Sequence, residues 1–386
     1  MSRRVLVVGG GPAGLTAATV LARGGAQVTV VDREAVMGGI PRHTDHLGYG
    51  LRDRRRVWRG PAYARILTDD ARVAGVELRT GTTVLDVRGG GATVVDARGR
   101  HELTADAVVL ATGVRERPRA ARLVPGDRPS GVFTTGAVQQ LVVLGHQRVG
   151  RRAVIVGAEH VSCSAVWTLR HAGCEPVAMI TDLARHQTTP ALWAASAGRH
   201  RVPLHANRRV VEIVGRGRVE AVRLDDGTVI ACDTVVFTGD WVPDHELARR
   251  AGLAMVPGAG APATTRLGHT SAPGLFATGN LVHPAETADV CAVHGRATAA
   301  AVAAWLADRV WPESPTAVAV DAGVRWAARV PDGVTVRVDA FERARLQVLS
   351  GGRVVATSRR RALVPNRALV VRVPAGVEPS SVRLVR

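Results

Sequence analysis

The chain has 386 residues, and with 46% of them hydrophobic it can form two or three domains with sizeable cores. Its formal net charge is +18, and all 51 cationic side chains are arginines, so chemistry at a lysine Schiff base is excluded. These arginines are spread along the chain with little aromatic material between them, which does not favour a nucleic-acid partner.

The cysteine content and the hydropathy pattern favour a cytoplasmic protein. The four cysteines are scattered and none belongs to a C-x-x-C pair, which is typical of free thiols in a reducing compartment. No window approaches the ~18 apolar residues of a membrane helix. The apolar run at residues 5–8 lacks the features of a signal peptide. We therefore expect no membrane association.

The N-terminal residues predict a βαβ unit that binds a dinucleotide. An apolar strand at residues 4–8 leads into the pattern G-x-G-x-x-G at residues 9–14. A helix is predicted over residues 13–23 and a second strand over residues 27–32. This context, a strand before the glycines and a helix after them, makes the motif informative.

Each glycine of the motif has its own part in phosphate binding. Gly9 permits the tight turn, Gly11 lets the backbone approach a pyrophosphate, and Gly14 lets the helix pack on the sheet. The helix beginning at Pro12 and Ala13 offers N–H groups and a partial positive charge to the phosphates.

An acidic residue and a second pair of glycines follow the βαβ unit. Asp32, before Arg33, stands 18 positions after Gly14, near the spacing of an acid that binds a ribose. Gly38 and Gly39 would let the backbone pass close to the bound phosphates.

The same order of elements then occurs a second time, which predicts two structural repeats. The first set closes with a strand at residues 107–110 that runs into Ala-Thr-Gly. The second set comprises strands at residues 153–156, 176–180 and 234–237 and a helix at residues 162–172. A last strand-like segment at residues 274–279 precedes a helix at residues 290–308.

The C-terminal residues predict a small all-β domain. The segment from Pro312 to Pro315 indicates a boundary. Beyond it, β-branched or alternating segments separated by turn residues occur at residues 334–339, 344–349, 354–359, 368–373 and 382–385. We expect residues 314–386 to form a β-sandwich or barrel.

These motifs, in this order, resemble the superfamily of flavoprotein oxidoreductases with two dinucleotide-binding domains, which includes disulfide reductases and ferredoxin reductases. Besides the first glycine motif, the resemblance rests on the segments at residues 111–113, 238–243 and 270–280. It implies an α/β fold with two interleaved, doubly wound Rossmann-like domains and a small C-terminal all-β domain. The expected boundaries are residues 1–120 and 244–313 for an FAD-binding domain, 121–243 for an inserted NAD(P)-binding-like domain, and 314–386 for the β domain.

The resemblance implies FAD as the cofactor of an oxidoreductase. The expected FAD-binding residues are Gly9, Gly11, Pro12, Ala13, Gly14, Asp32, Arg33, Gly38, Gly39, Arg42, Val84, Ala111, Thr112, Gly113, Gly279, Asn280, Thr287 and Ala288. Asn280 replaces the family's usual aspartate, and its amide oxygen can still accept a hydrogen bond from the ribityl chain. Thr287 and Ala288 begin the final helix, whose N–H groups would stabilise negative charge on the reduced flavin.

Two departures from the family narrow the function. The chain has no cysteine pair to place against the flavin, so disulfide reduction is disfavoured. The second fingerprint, at residues 157–162, has Glu159 where a glycine lets the pyrophosphate approach, and its bulk and charge would oppose phosphate. NAD(P)H, another nucleotide and a remnant domain without ligand all remain open for this site.

The segments at residues 38–43, 157–162 and 279–289 resemble one subgroup. It contains the FAD-binding subunits of hydrogen cyanide synthase, opine oxidases, sarcosine oxidase α and heteromeric proline dehydrogenases, which work with a separate amine-oxidising subunit. We therefore predict the FAD subunit of an amine or amino-acid dehydrogenase assembly. The alternatives are a standalone NAD(P)H-dependent reductase of a ferredoxin-like protein and a non-catalytic nucleotide-binding scaffold.

Three residues are candidates for proton transfer near the flavin. His43 either lies beside the flavin or packs within its loop, and with His46 it forms an H-x-x-H pattern that lacks further metal ligands, so we predict no metal. His283 and Glu286 precede the final helix, where Glu286 is either an acid/base group or has a structural role as a helix cap or in a salt bridge.

Clusters of arginine suggest a docking surface for a partner. The chain has no cysteine cluster for an iron–sulfur centre, so electrons would pass to another chain. An acidic iron–sulfur carrier would be steered by a basic surface, although such clusters are also common on faces that only contact water. The clusters are Arg52, Arg54, Arg55, Arg56 and Arg59, and Arg359, Arg360 and Arg361.

Overall fold

A computed structural model describes residues 3–284 and 286–386 of the chain. They fall into two compact units. The first extends to Arg42 and also contains Leu47–Val114 and Val242–Arg386. The second contains His43–His46 and Arg115–Trp241.

A five-stranded parallel sheet forms the centre of the first unit. In spatial order its strands are Leu275–Ala277, Ala107–Leu110, Arg4–Val8, Gln27–Val31 and Glu77–Arg79. The chain order reverses between the second and third of these strands. In open α/β sheets, ligands bind at the carboxyl ends of the strands beside such a reversal.

Helices cover this sheet. The longer ones are Pro12–Arg23, Gly60–Val73 and Ala288–Asp308, and short helical segments occur at Ile40–His43, Leu51–Arg54, Glu246–Arg250 and Gly279–Leu281. Leu15, Leu67 and Val302 are buried from three different helices and pack in one cluster with Val30 of the sheet. Burial of apolar side chains from both layers is the main term that stabilises this arrangement.

The helix Ala288–Asp308 is long and apolar enough, by length and composition alone, to cross a membrane. The expectation that no segment reaches this length was therefore wrong. Ala299 and Val302 of this helix are buried in the core of the first unit. A Cβ built on Gly295 would lie 2.2 Å from the carbonyl oxygen of Ala13, so this helix packs directly on Pro12–Arg23.

Antiparallel strands complete the α/β part of the first unit. They are Thr83–Arg88, Gly91–Asp96 and Gly99–Thr104 in one sheet, and the pairs Leu47–Tyr49 with Trp58–Arg59 and Met255–Val256 with Ala261–Pro262.

The C-terminal residues form two sheets. One contains Ala319–Val320, Ser381–Val385, Glu342–Ser350 and Arg353–Thr357, with Arg361–Leu363 paired to Glu342–Ser350, and the other contains Val324–Val330, Gly333–Val338 and Leu369–Arg372. Alternate residues such as Leu346 and Val348 are buried against Val336 of the other sheet. The sequence did not predict the strand Val324–Val330, in which the buried Arg329 interrupts the apolar pattern.

The second unit also has a five-stranded parallel sheet, so the predicted repeat is present. Its strands, in spatial order, are Val132–Thr134, Thr234–Phe237, Arg152–Val156, Glu175–Thr181 and Leu204–Ala206. Its helices are Thr135–Gln139, continued by Gln140–Leu144, then His160–His171, and Pro190–Trp193, continued by Ala194–Gly198. An antiparallel sheet contains Val210–Val214, Ala221–Leu224 and Val229–Ala231, and a short helical segment is Arg119–Arg122. The paired strands Val114–Glu116 and Trp241–Pro243 each have residues in both units. The two parallel sheets and the β C-terminus confirm the predicted α/β fold class.

Candidate functional site

Three loops meet at the carboxyl edge of the first parallel sheet. The amide of Gly9 donates to the carbonyl of Val31, and the amide of Ala111 donates to the carbonyl of Val8. The amide of Thr278 donates to the carbonyl of Leu110. The glycine motif, the Ala-Thr-Gly segment and the segment beginning at Gly279 therefore converge where the chain order reverses, as a dinucleotide site requires.

The three glycines of the first motif differ in whether the packing of the fold requires them. Gly9 has φ +109°, and a Cβ on it would lie 2.3 Å from the carbonyl oxygen of Ala111. A Cβ on Gly14 would lie 2.0 Å from the carbonyl oxygen of Gly9. The fold itself therefore requires both glycines. No atom lies within 4 Å of a Cβ built on Gly11, so packing does not require a glycine there.

The start of the first helix suits an anionic group. Gly11 is its N-cap and has no side chain to bond the first N–H groups, and Pro12 occupies the first turn. Ala13 is buried against Ala111 and Cys291 behind this turn. First-turn N–H groups without a side-chain cap, beside the open space at Gly11, fit a phosphate, so the residues present fit the FAD pyrophosphate.

Asp32 supports the glycine turn directly. Its Oδ2 accepts a hydrogen bond of 2.7 Å from the amide of Gly10, and its Oδ1 accepts one of 2.9 Å from the amide of Glu34. Its binding of a ribose stays a prediction. The neighbouring Arg33 is exposed and lies 3.4 Å from Asp244.

The second pair of glycines packs on the first motif. The amide of Gly38 donates to the carbonyl of Gly10 at 2.8 Å. Gly39 has φ +60°, and a Cβ on it would lie 2.9 Å from the Cα of Gly11. The guanidinium of Arg42 donates to the carbonyl of Val36 in the same loop. These contacts bring the loop to the predicted phosphate site.

Thr112 and Gly113 bind another part of the first unit. The Thr112 hydroxyl donates to the carbonyl of Asp244 at 2.7 Å, and the amide of Asp244 donates to the carbonyl of Gly113 at 2.9 Å. Val84 lies in the antiparallel sheet opposite Val94. Its side chain packs on the hydrophobic cluster that includes Val8. Its contact with FAD stays a prediction.

Asn280 has a structural role that the sequence did not reveal. Its Nδ2 donates to the carbonyl of Glu286 at 3.0 Å, and its Oδ1 accepts from the amide of Glu286 at 2.8 Å. An aspartate could accept the second bond but could not donate the first. Gly279, with φ +68°, lies so close to Ala13 that a Cβ on it would be 2.7 Å from that residue's Cβ.

The long helix begins at the same edge of the sheet. Thr287 is its N-cap and Ala288 its first residue. The Thr287 side chain bonds none of the first helix amides, whereas the carboxylate of Asp289 accepts a 3.0 Å bond from the amide of Val290. The hydroxyl of Thr287 donates instead to the carboxylate of Asp289, which also accepts a 3.0 Å bond from the amide of Arg52. Asp289 and Gly295 were missed by the sequence reasoning, although a glycine within a predicted helix indicates close packing.

Glu286 is ion-paired inside the protein. Its Oε1 lies 3.3 Å from the guanidinium of Arg337, and each of the two side chains is 5% exposed. The hydroxyl of Thr335 donates to the same oxygen at 3.2 Å. Of the two interpretations of Glu286, these contacts support the structural one.

His283 is buried against His294, and their rings are perpendicular with centroids 4.3 Å apart. Burial holds the pKa of His283 well below its usual value and lowers the pKa of His294 to about 4. Both rings are therefore neutral at pH 7. His43 belongs to the second unit, so His43 and His283 are not brought together within one unit.

His43 and His46 form the H-x-x-H pattern for which the sequence predicts no metal. The Nε2 of His46 lies 2.8 Å from the hydroxyl of Ser164. The His46 ring packs against the ring of Trp167, with centroids 4.9 Å apart. Among residues 3–284 and 286–386, no three histidine, cysteine or acidic side chains are grouped to hold a metal ion. The cysteines described are free and buried.

In the second unit, Glu159 fills its own nucleotide fingerprint. The side chain is 7% exposed, and its Oε2 accepts a 3.0 Å bond from the amide of Ala158. A Cβ on Gly157 would lie 2.9 Å from Oε2, and one on Gly239 would lie 2.7 Å from Oε1. The carboxylate therefore occupies the turn in which a glycine would admit phosphate.

A second buried carboxyl lies near Glu159. Glu116 accepts a 2.8 Å bond from the amide of Gly136, and burial together with the charge of Glu159 raises its pKa to about 7. Nothing in the sequence distinguished Glu116, because only folding brings it near Glu159. Above about pH 7, where Glu116 is ionised, the two carboxylates together oppose an anionic ligand.

The chain is similar in sequence to components of known oxidoreductases. An opine oxidase component of Rhizobium meliloti is 27% identical over 72% of this chain and 58% of that protein. The ferredoxin–NAD(+) reductase component of the biphenyl dioxygenase system of Paraburkholderia xenovorans (strain LB400) is 31% identical over 46% of this chain and 44% of that protein. The chain thus spans about half the length of these curated relatives.

The fold has solved counterparts. The thioredoxin reductase of T. acidophilum covers 80% of this chain over its full length, with a TM-score of 0.66 and 20% identity. A sequence profile described as pyridine nucleotide-disulphide oxidoreductase matches residues 3–304. A match of that extent shows that the chain belongs to the pyridine nucleotide-disulphide oxidoreductase family, whose members are FAD-dependent oxidoreductases.

Proposed function

We propose that this chain is the FAD-binding subunit of an assembly that oxidises an amine or amino acid, with the amine site on a second chain. The observation that carries the proposal is the carboxylate of Glu159 within the second fingerprint, because it opposes the use of NAD(P)H as the electron donor. The likeness to the opine oxidase component, over 72% of this chain, supports the same class.

In this proposal the carboxyl edge of the first sheet holds FAD. The first amides of the helix Pro12–Arg23 bind the pyrophosphate, and Asp32 binds a ribose while it holds the glycine turn. The amides at the start of Ala288–Asp308 favour negative charge beside them. When bound, FAD supplies the two-electron redox chemistry, and the protein supplies orientation and electrostatics.

A standalone NAD(P)H-dependent reductase of a ferredoxin-like protein is the second candidate. It is favoured by the 31% identity to the ferredoxin–NAD(+) reductase component. For this function the side chain of Glu159 would have to leave the fingerprint turn, since it now fills the space that the glycines 157 and 239 leave open.

Electrons leaving FAD require an acceptor, and we propose a cytoplasmic, acidic iron–sulfur protein. Arg52, Arg55 and Arg56 are exposed in the first cluster. Arg54 differs, because its guanidinium lies 3.4 Å from Asp53 and also pairs with Asp70. The docking surface is therefore proposed without Arg54.

Anaerobic mixing tests the proposed function. NADH, NADPH and a panel of amino acids are mixed separately with the protein while flavin absorbance is followed. Each mixture is made once with the isolated chain and once with the chain copurified with its second subunit. Bleaching by an amino acid only when the second subunit is present supports the proposal. Rapid bleaching of the isolated chain by NADH or NADPH supports the reductase instead.

A further inference from the structure

A buried ion pair links the C-terminal β strands to the loop before the long helix. The guanidinium of Arg337, on strand Gly333–Val338, pairs with Glu286 at 3.3 Å, and both side chains are 5% exposed. The same guanidinium lies over the ring of Trp326, 5.1 Å from its centroid. A pair this deeply buried loses its hydration, so removing either partner leaves an uncompensated charge inside the protein.

Glu286 is held from two directions. Asn280 binds both its amide and its carbonyl, while Arg337 and Thr335 bind its side chain. The next residue, Thr287, is the N-cap of the long helix. The position of the first amides of this helix therefore depends on a strand of the C-terminal domain.

The charge of the pair is placed where it affects the same helix end. A helix N-terminus carries a partial positive charge that favours nearby anions. Glu286, one residue before the N-cap, places a negative charge beside this helix end and weakens its attraction for another anion. The positive charge of Arg337 offsets that negative charge. Loss of one member leaves a net charge at this place, and the sign of that charge depends on which member is lost.

We propose that Arg337 is a positioning residue for FAD: through Glu286 it fixes the start of the helix Ala288–Asp308 and neutralises the carboxylate beside it. The inference rests on the proposed FAD site. Through Arg337, the C-terminal β domain would help to set the reduction potential of the bound cofactor.

The test measures the midpoint potential of bound FAD and the dissociation constant for FAD in Glu286→Gln, Arg337→Met and the double variant. Glu286→Gln leaves an added positive charge and is expected to raise the potential. Arg337→Met leaves a negative charge and is expected to lower it, and the double variant should return close to wild type. A carboxylate without its arginine can take up a proton, so the variants are compared at the alkaline end of a pH series.

Arg337→Lys and Arg386→Met are the controls. Arg337→Lys keeps the charge and should keep the wild-type potential, even where Arg337→Met fails to fold. Arg386 pairs with Glu342 at 2.5 Å on the surface of the same domain, and Arg386→Met should leave the potential unchanged. Two single variants that shift the potential in the same direction, or leave it unchanged while FAD stays bound, would overturn the inference. A wild-type chain that binds no FAD would overturn the proposed function instead.

Discussion

The carboxylate of Glu159 lies directly beside Gly239, close enough that a Cβ on that glycine would be 2.7 Å from Oε1. A dinucleotide fingerprint needs open space and unopposed N–H groups at this place. The Glu159 side chain fills the open space. Its carboxylate also accepts a hydrogen bond from the amide of Ala158, so that N–H group is no longer available to a phosphate. The second unit keeps the parallel sheet, but a carboxylate fills the turn at which a glycine would admit the phosphates.

Replacing Glu159 should restore affinity for NAD(P)H. We expect Glu159→Gly to tighten NADH binding at least about tenfold, or about 1.4 kcal/mol, because both charge and bulk are removed. Glu159→Gln has the same size without the charge and should recover only part of this gain. Titration calorimetry measures both. Micromolar binding by the wild type that is lost in Glu159→Gly would show that the glutamate promotes binding.

Gly11 is the position at which the FAD site can be tested without disturbing the fold. Gly11→Val is expected to abolish FAD binding, because the added side chain enters the space left open before the helix N-terminus. The released cofactor is quantified by absorbance and chromatography. Gly90→Val is the matched control, since Gly90 also has no atom within 4 Å of its Cβ position. Full FAD occupancy in Gly11→Val would place the site elsewhere.

Glu116 should make stability fall as pH rises. Its pKa is raised from 4.5 to about 7 mainly by burial, so the folded protein retains a proton that the unfolded chain releases. The contribution of this group to stability is largest below pH 4.5, decreases up to about pH 7, and changes no further above it. The loss from this group is about 3 kcal/mol. Thermal unfolding followed from pH 5 to pH 8 should show a smaller decrease in Glu116→Gln, and parallel curves for the two proteins would contradict the assignment.

The proposed docking surface predicts a dependence on salt. Electron transfer from the chemically reduced protein to a plant-type ferredoxin, followed by stopped flow, should slow as ionic strength rises, because screening acts within about 10 Å at 0.1 M salt. Charge reversal at Arg52 and Arg55 should slow transfer at low salt and leave FAD content unchanged. A transfer rate that responds to neither salt nor charge reversal would show that these arginines contact only water and do not steer a partner.

Much of the fold could be predicted because its signals are local. Strands such as Arg4–Val8, Ala107–Leu110 and Thr234–Phe237 are short apolar runs with a glycine within the next three residues, and the structure has them at the predicted residues. The strand Val324–Val330 escaped prediction because its buried Arg329 is satisfied by the carbonyls of Thr316 and Pro379, which are distant in sequence.

Residue type and spacing were enough to predict that a glycine turn precedes a helix and that Glu159 stands in the second fingerprint. The roles of Asn280, Glu286 and Glu116 emerged only from tertiary contacts. Asn280 bonds the amide and the carbonyl of Glu286. The side chain of Glu286 pairs with Arg337, fifty-one positions away. Glu116 is buried close to Glu159. What these polar side chains do depends on burial and on partners brought together by folding, and neither is encoded in the local pattern of the chain.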